Sequence, residues 1–123
     1  MSISDHVLRQ LIRKHLTDDL RKAPWKGSKN KFAGHCYVAS EAWYHLKGGK
    51  AAGLKPVALR HEGASHWWIR HSDGVDVDLT VEQFNTPVPY EQGRGCGFLT
   101  RRPSQRAQIL IDRVQADLAD SRM

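Results

Sequence analysis

The chain has no run approaching the ~20 consecutive apolar residues that a membrane-spanning helix needs. Cysteine is scarce. Cys36 and Cys96 are the only two in 123 residues, too few for a disulfide framework, so both are expected as free thiols in a reducing cytoplasm. The stretch from Met1 to Leu16 lacks the layout of a secretory signal, because charges interrupt its apolar residues and no small-residue cleavage site follows. No internal repeat or low-complexity segment is present. The spacings CxxC and HExxH are absent as well, which disfavours a zinc site on Cys36, His35, His66 and Asp78. No metal and no cofactor is expected.

Positive charge is in excess: 19 Lys and Arg face 13 Asp and Glu, a formal net charge of +6. Such a balance favours acidic partners. The basic residues are dispersed, however, and the clusters "RKAPWKGSKNK" and "RRPSQR" carry no interleaved aromatic platform for stacking bases. Nucleic acid is thus a possible but not favoured partner, a membrane is not expected, and a plain solvated surface accounts for the charge equally well. The length suits one domain over residues 1–123, large enough for a single core. A small basic domain of this kind fits a bacterial or phage-encoded protein.

Periodicity divides the chain into helix, helix, β region and helix. From Ser4, an N-cap candidate with Ser2, residues Val7, Leu8, Leu11, Ile12, His15 and Leu16 follow helical spacing, and Pro24 bars continuation. A polar loop, "WKGSKNKFAG", leads to a second helix from about Cys36 to Leu46, stopped by "KGGK". Its buried side is Val38, Ala39, Ala42, Trp43 and Leu46. Three runs then have strand character: "KPVALR", "SHWWIR" and "VDVDLT". "YEQGRGCGFLT" reads as an irregular edge strand. Ser104 caps a last helix with Ala107, Leu110, Ile111, Val114 and Leu118 on one face.

Two of these elements carry chemistry. Cys36 opens a helix, where unpaired N–H groups and the helix dipole lower a thiol pKa and its own N–H can stabilise an oxyanion. Gly34 lets a substrate approach the backbone. A thiolate nucleophile needs a base, and the base an orienting partner. With Ser72-Asp73-Gly74 as a three-residue hairpin loop, Arg70 faces Asp76, Trp68 faces Asp78 and His66 faces Thr80. Alternation puts these six on one face and Trp67, Ile69, Val75, Val77 and Leu79 on an apolar one. His66 and Asp78 become diagonal neighbours, roughly 7–8 Å apart at the backbone. Asp76 has Arg70 for a partner, so Asp78 is the better orienter of His66.

At these residues the chain resembles a family. Gly34-x-Cys36-x-x-x-Ser40, with Ala39 before Ser40, is similar to the nucleophile region of transglutaminase-like proteins of papain-like fold. His66 with Trp67-Trp68 resembles their His-x-Trp base motif, and Asp78-Leu79-Thr80 their Asp-Pro-Thr ending. The resemblance spans Gly34 to Thr80 and rests on the ordered combination. Ala39 departs by one position from strict spacing, and Leu79 stands where the family has proline. It implies an α+β, papain-like or transglutaminase-like core, with a Cys-bearing helix on a small antiparallel sheet and helices flanking it at both ends. It also implies a cysteine hydrolase or acyltransferase of peptidase, amidase or deamidase type. This would use a Cys36–His66–Asp78 triad and a thioester on a protein, peptide or small amide substrate. Asn30 lies where papain-like enzymes place a side-chain oxyanion donor.

Among the other candidates, His35 is expected at a cleft rim or as a cap, Trp68 as the cleft roof, and Trp67 and Trp43 in the core. The glycines around Cys96 suggest a close approach, such as a cleft wall. Each catalytic residue also has a bland reading: Cys36 as core filler, His66 as a satisfied histidine, Asp78 as a strand-end cap. The competing functions are a non-catalytic binding or inhibitor module with a basic surface, and a nucleic-acid-binding protein.

Overall fold

The computed structural model of the chain describes residues 4–121. Helix α1 runs over Asp5–Lys14, with the Ser4 Oγ accepting the Val7 N–H at 3.2 Å and Arg13 and Lys14 at the favourable C-terminal end. Helix α2 covers Cys36–Leu46 and helix α3 Gln105–Ser121. The Ser104 Oγ accepts the Ala107 N–H at 3.2 Å, so the expected cap of α3 is in place. Among the described residues the strands are β1 (Leu54–His61), β2 (Ala64–His71), β3 (Asp76–Val77) and β4 (Arg94–Gly95). They form one antiparallel sheet in the order β3-β2-β1-β4. The architecture is α+β. No helix among the described residues is long and apolar enough to cross a membrane.

Helix α2 packs on β2, and α1 and α3 pack on α2. Leu8, Ile12, Val38, Trp43, Ile69 and Leu110 are enclosed between these layers. Each such side chain removed from water contributes ~1.5–3 kcal/mol. A second, smaller apolar cluster of Val57, Trp68 and Val88 lies on the opposite sheet face, under the segment 78–92. Gly93 lets that segment close down, since a Cβ there would meet Trp68 at 2.4 Å and Val57 at 2.6 Å.

The β2–β3 hairpin has the expected loop and register at its closed end. Gly74 is left-handed with φ of 88°, His71 and Val75 flank the loop, and Arg70 pairs with Asp76. It stops sooner than expected. The ladder ends at Ile69–Val77, so neither Trp68–Asp78 nor His66–Thr80 pairs. Asp78 Oδ1 accepts the Thr80 N–H at 3.2 Å, and the chain turns into the short 3-10 segment Val81–Gln83. The β2 edge beside Ser65 and Trp67 is left to another partner, which is Cys36.

Candidate active site

His66 is fully buried, and both its ring nitrogens are engaged. Nε2 meets Asp78 Oδ2 at 2.6 Å, and Nδ1 meets the Gln83 side-chain Nε2 at 3.2 Å. The carboxylate accepts, so the imidazole proton sits on Nε2 and Nδ1 presents its lone pair to the Gln83 amide. Asp78 is itself held: the Tyr90 hydroxyl donates to Oδ2 at 2.9 Å and the Thr80 N–H to Oδ1. Burial, with the neighbouring Asp78, drives the Tyr90 phenol well above its usual range, which keeps it a donor. Phe84 stands edge-on to the imidazole at 4.6 Å. The result is an imidazole whose tautomer and ring plane are set by packing.

Cys36 lies at the start of α2 with its Sγ donating to the Ser65 carbonyl at 3.7 Å. The expectation of a lowered thiol pKa is corrected. Burial pushes the thiol up to about 11, against the pull of the Trp67, Tyr37 and Cys36 N–H groups. The helix terminus does supply favourable dipoles, but removing the sulfur from water outweighs them. Asp78 adds to the upward shift, as a negative charge near a forming thiolate should. The resting state is a neutral thiol.

A cleft of about 290 Å3 reaches this point, lined by Trp25, Gly34, Cys36, Ser65, Trp67 and Gln83 among others. It joins the thiol to the amide that covers the His66 Nδ1. Gln83 Oε1 is buried without a hydrogen-bond partner among the described residues. Among the described residues no group of three His, Cys, Asp or Glu side chains is placed to hold a metal ion.

Four expectations at the rim need correction. Trp68 does not roof the cleft; it is buried on the other sheet face, donating its Nε1–H to Asp76 Oδ1 at 3.0 Å, while Trp67 lines the cleft. Alternation alone divided the two tryptophans correctly, but the polar face is enclosed as well as the apolar one, and Trp67, expected in the core, is only half-buried. His35 occupies the N-cap position of α2 without capping it. Its ring is fully buried, with Nε2 on the Thr17 carbonyl at 3.0 Å. Burial, helped by Arg21 and Arg106, lowers its pKa to about 4, so it stays neutral. Asn30 is exposed and spent on the loop, its Oδ1 accepting the Phe32 N–H and its Nδ2 donating to the Glu82 carbonyl. Gly34 has φ of 78°, and the group pressed against it is Trp25, 2.4 Å from where a Cβ would stand.

Cys96 is exposed, follows edge strand β4, and donates its N–H to the Pro56 carbonyl; it is not in the cleft around Cys36. The glycine beside it, Gly95, is approached by Lys55.

The sequence reading missed three residues. Gln83 and Tyr90 come from a segment without periodicity, so nothing local marks them. Arg21 sits in a cluster taken for surface charge, yet it is buried. Its guanidinium donates to the carbonyls of Ala33, Ser28 and Lys31 and to Asp18, wrapping the loop that delivers Cys36. An arginine presents five donors in a fixed fork, which suits it to gather a loop's carbonyls.

Fold and site together define an α+β protein with a buried imidazole–carboxylate pair and a helix-opening thiol on one cleft. The chain matches the YunG protein family over residues 4–119 and belongs to it. No curated protein and no solved structure matches it.

Proposed function

We propose that the protein is a cysteine-dependent amide or acyl hydrolase or transferase with a papain-like core, using Cys36, His66 and Asp78. The observation that carries this reading is the buried 2.6 Å contact of His66 Nε2 with Asp78. It leaves the basic Nδ1 turned to Gln83, a side chain that shares the Cys36 cleft. Nucleophile, base and orienter are then all supplied.

Substrate entry moves the Cys36 proton off the Ser65 carbonyl and the Gln83 amide off Nδ1. The thiol proton passes to Nδ1 as sulfur bonds to the carbonyl carbon, a concerted route that suits a thiol of raised pKa. The Cys36 N–H and the freed Gln83 amide stabilise the oxyanion, Gln83 replacing Asn30 in that role. His66 returns the proton to the departing amine, leaving a thioester. Water or an acceptor amine, deprotonated by His66, then releases the acyl group and restores the thiol. Two free thiols fit work in a reducing cytoplasm.

The tie of Cys36 to Ser65 and the enclosure of His66 also favour a second reading, a binding module that keeps this cluster for structure. Intact-mass measurement after exposure to p-nitrophenyl acetate separates the two. The enzyme reading expects a hydroxylamine-labile acetyl group on Cys36 whose formation collapses in His66→Ala. Acetylation of Cys96 alone, or of Cys36 at a rate indifferent to His66, favours the module.

A further inference from the structure

Lys22, Tyr37 and Arg106 line the Cys36 cleft and also a second hollow of about 490 Å3 that continues to Leu99, Ser104 and Gln105. The two hollows therefore adjoin at these three side chains, and together they make up a groove. Among the described residues no Asp or Glu lines either part. Glu41, an electrostatic neighbour of Tyr37, is fully buried and committed to the Ser104 N–H at 2.8 Å and hydroxyl at 2.7 Å. Lys22 is exposed, and among the described residues no hydrogen bond or ion pair occupies its ammonium. Arg106 spends one nitrogen on the Leu20 carbonyl at 2.5 Å, its remaining N–H groups having no partner among the described residues. Lys14, Lys47 and Arg113 are paired with Asp117, Asp5 and Asp19, while among the described residues Lys22 and Arg106 share their unpaired state with other surface cations such as Lys50, Arg94 and Arg101 and differ from those in lining both hollows. Trp25, Trp67 and Tyr37 supply flat apolar walls beside the two unpaired cations.

We infer that the groove selects acyl substrates carrying a carboxylate, as an acidic peptide does, with Lys22 and Arg106 holding the anion while the reacting carbonyl lies at Cys36. This rests on the proposed cysteine chemistry and adds the class of substrate. A single-sign groove with apolar walls concentrates oppositely charged ligands, an effect that weakens with salt. Arginine adds a planar fork matched to a carboxylate, and lysine a mobile point charge.

Iodoacetate and iodoacetamide are probes of nearly the same size that differ in charge. In a Cys96→Ser background, the ratio of their alkylation rates at Cys36 is measured against the same ratio for 2-mercaptoethanol. We expect the protein's normalised ratio to exceed one by about threefold or more at low salt and to decline as salt is added. It should drop to one or below in Lys22→Glu, and partway in Lys22→Gln and Arg106→Gln. A normalised ratio of one that neither substitution nor salt moves would overturn the inference. His66→Ala reports on the chemistry separately: it should slow both reagents equally and keep their ratio. If His66→Ala changes neither rate while Lys22→Glu still changes the ratio, the anion preference stands and the thiol–imidazole reading falls. Failure of both reagents to reach Cys36 in the native protein overturns both.

Discussion

Strand β2 is buried on both faces, by opposite means. On one, Ile69 packs with Val38, Trp43 and Leu110 in an apolar layer beneath α2. On the other, His66, Trp68 and Arg70 are covered by the segment 78–92, and nearly every polar atom there has a named partner. His66 is bound to Asp78 and Gln83, Trp68 to Asp76, and Arg70 to Asp76 at 2.7 Å and the Tyr90 carbonyl at 2.8 Å. The first face loses stability in proportion to volume removed. The second loses it when one partner is deleted, because the group left behind is buried and unsatisfied. A surface of the first kind is interchangeable within limits of shape, whereas one of the second kind specifies a unique arrangement, which the proposed role of His66 as a base would need.

The sharpest test of that contrast is activity. Under the proposed mechanism Cys36→Ala and His66→Ala are each expected to reduce acyl transfer by about a thousandfold or more, and the double variant no further, since the proposed pair would act as one unit. Urea unfolding of Cys36→Ala should stay within about 1–2 kcal/mol of the parent. An additive double variant would separate the two residues.

Next comes volume. Trp68→Ala should cost about 3–5 kcal/mol by urea unfolding, because it empties the small cluster with Val57 and Val88 and takes a donor from Asp76. Trp67→Ala should cost clearly less, its ring being only half-buried at the cleft. Equal losses would erase the distinction between the faces.

A finer comparison lies within the polar face. Asp78→Asn should cost about 1–3 kcal/mol and suppress activity, since an amide oxygen cannot serve His66, Tyr90 and Thr80 together. Asp76→Asn, at a more exposed pair with Arg70, should cost ~1 kcal/mol or less and leave turnover mostly intact. The reverse order in an assay of both variants would assign the orienting role to Asp76.

The last effects are absent near neutral pH. The folded Cys36 thiol is raised from its usual 9.0 to about 11, so the native state keeps a proton that the unfolded chain releases. Stability should therefore be lost as pH rises from about 9 to about 11, and Cys36→Ala should flatten that decline. His35 is the mirror case, lowered from 6.5 to about 4. The unfolded chain takes up a proton there first, so stability should fall as pH drops through that window. His35→Gln should reduce the slope, read from urea midpoints across pH.

The legible parts of the molecule were those governed by neighbours along the chain. The span of α2 from Cys36 to Leu46 follows from its apolar spacing and the glycines after it. The Ser4 and Ser104 caps and the Arg70–Asp76 register follow from local hydrogen-bond and turn chemistry. The Cys36, His66 and Asp78 candidates were named from the same local patterns, and so was the pairing of His66 with Asp78. Periodicity could separate His66 and Trp68 from Trp67 and Ile69, but it could not say that the polar face would be closed over as well. That was decided by residues 78–92 folding back, a segment whose covering groups Gln83, Val88 and Tyr90 follow no period.

Local sequence thus determined the helices, the hairpin and the identity of the chemical groups, because turns, caps and alternating faces are set within a few residues. Tertiary structure alone decided their working state: Cys36 a neutral thiol on the Ser65 carbonyl, His35 withdrawn into the core, and Gln83 over the His66 nitrogen. Desolvation and hydrogen-bond partnership depend on what packs from distant parts of the chain, and no short window of sequence contains that information.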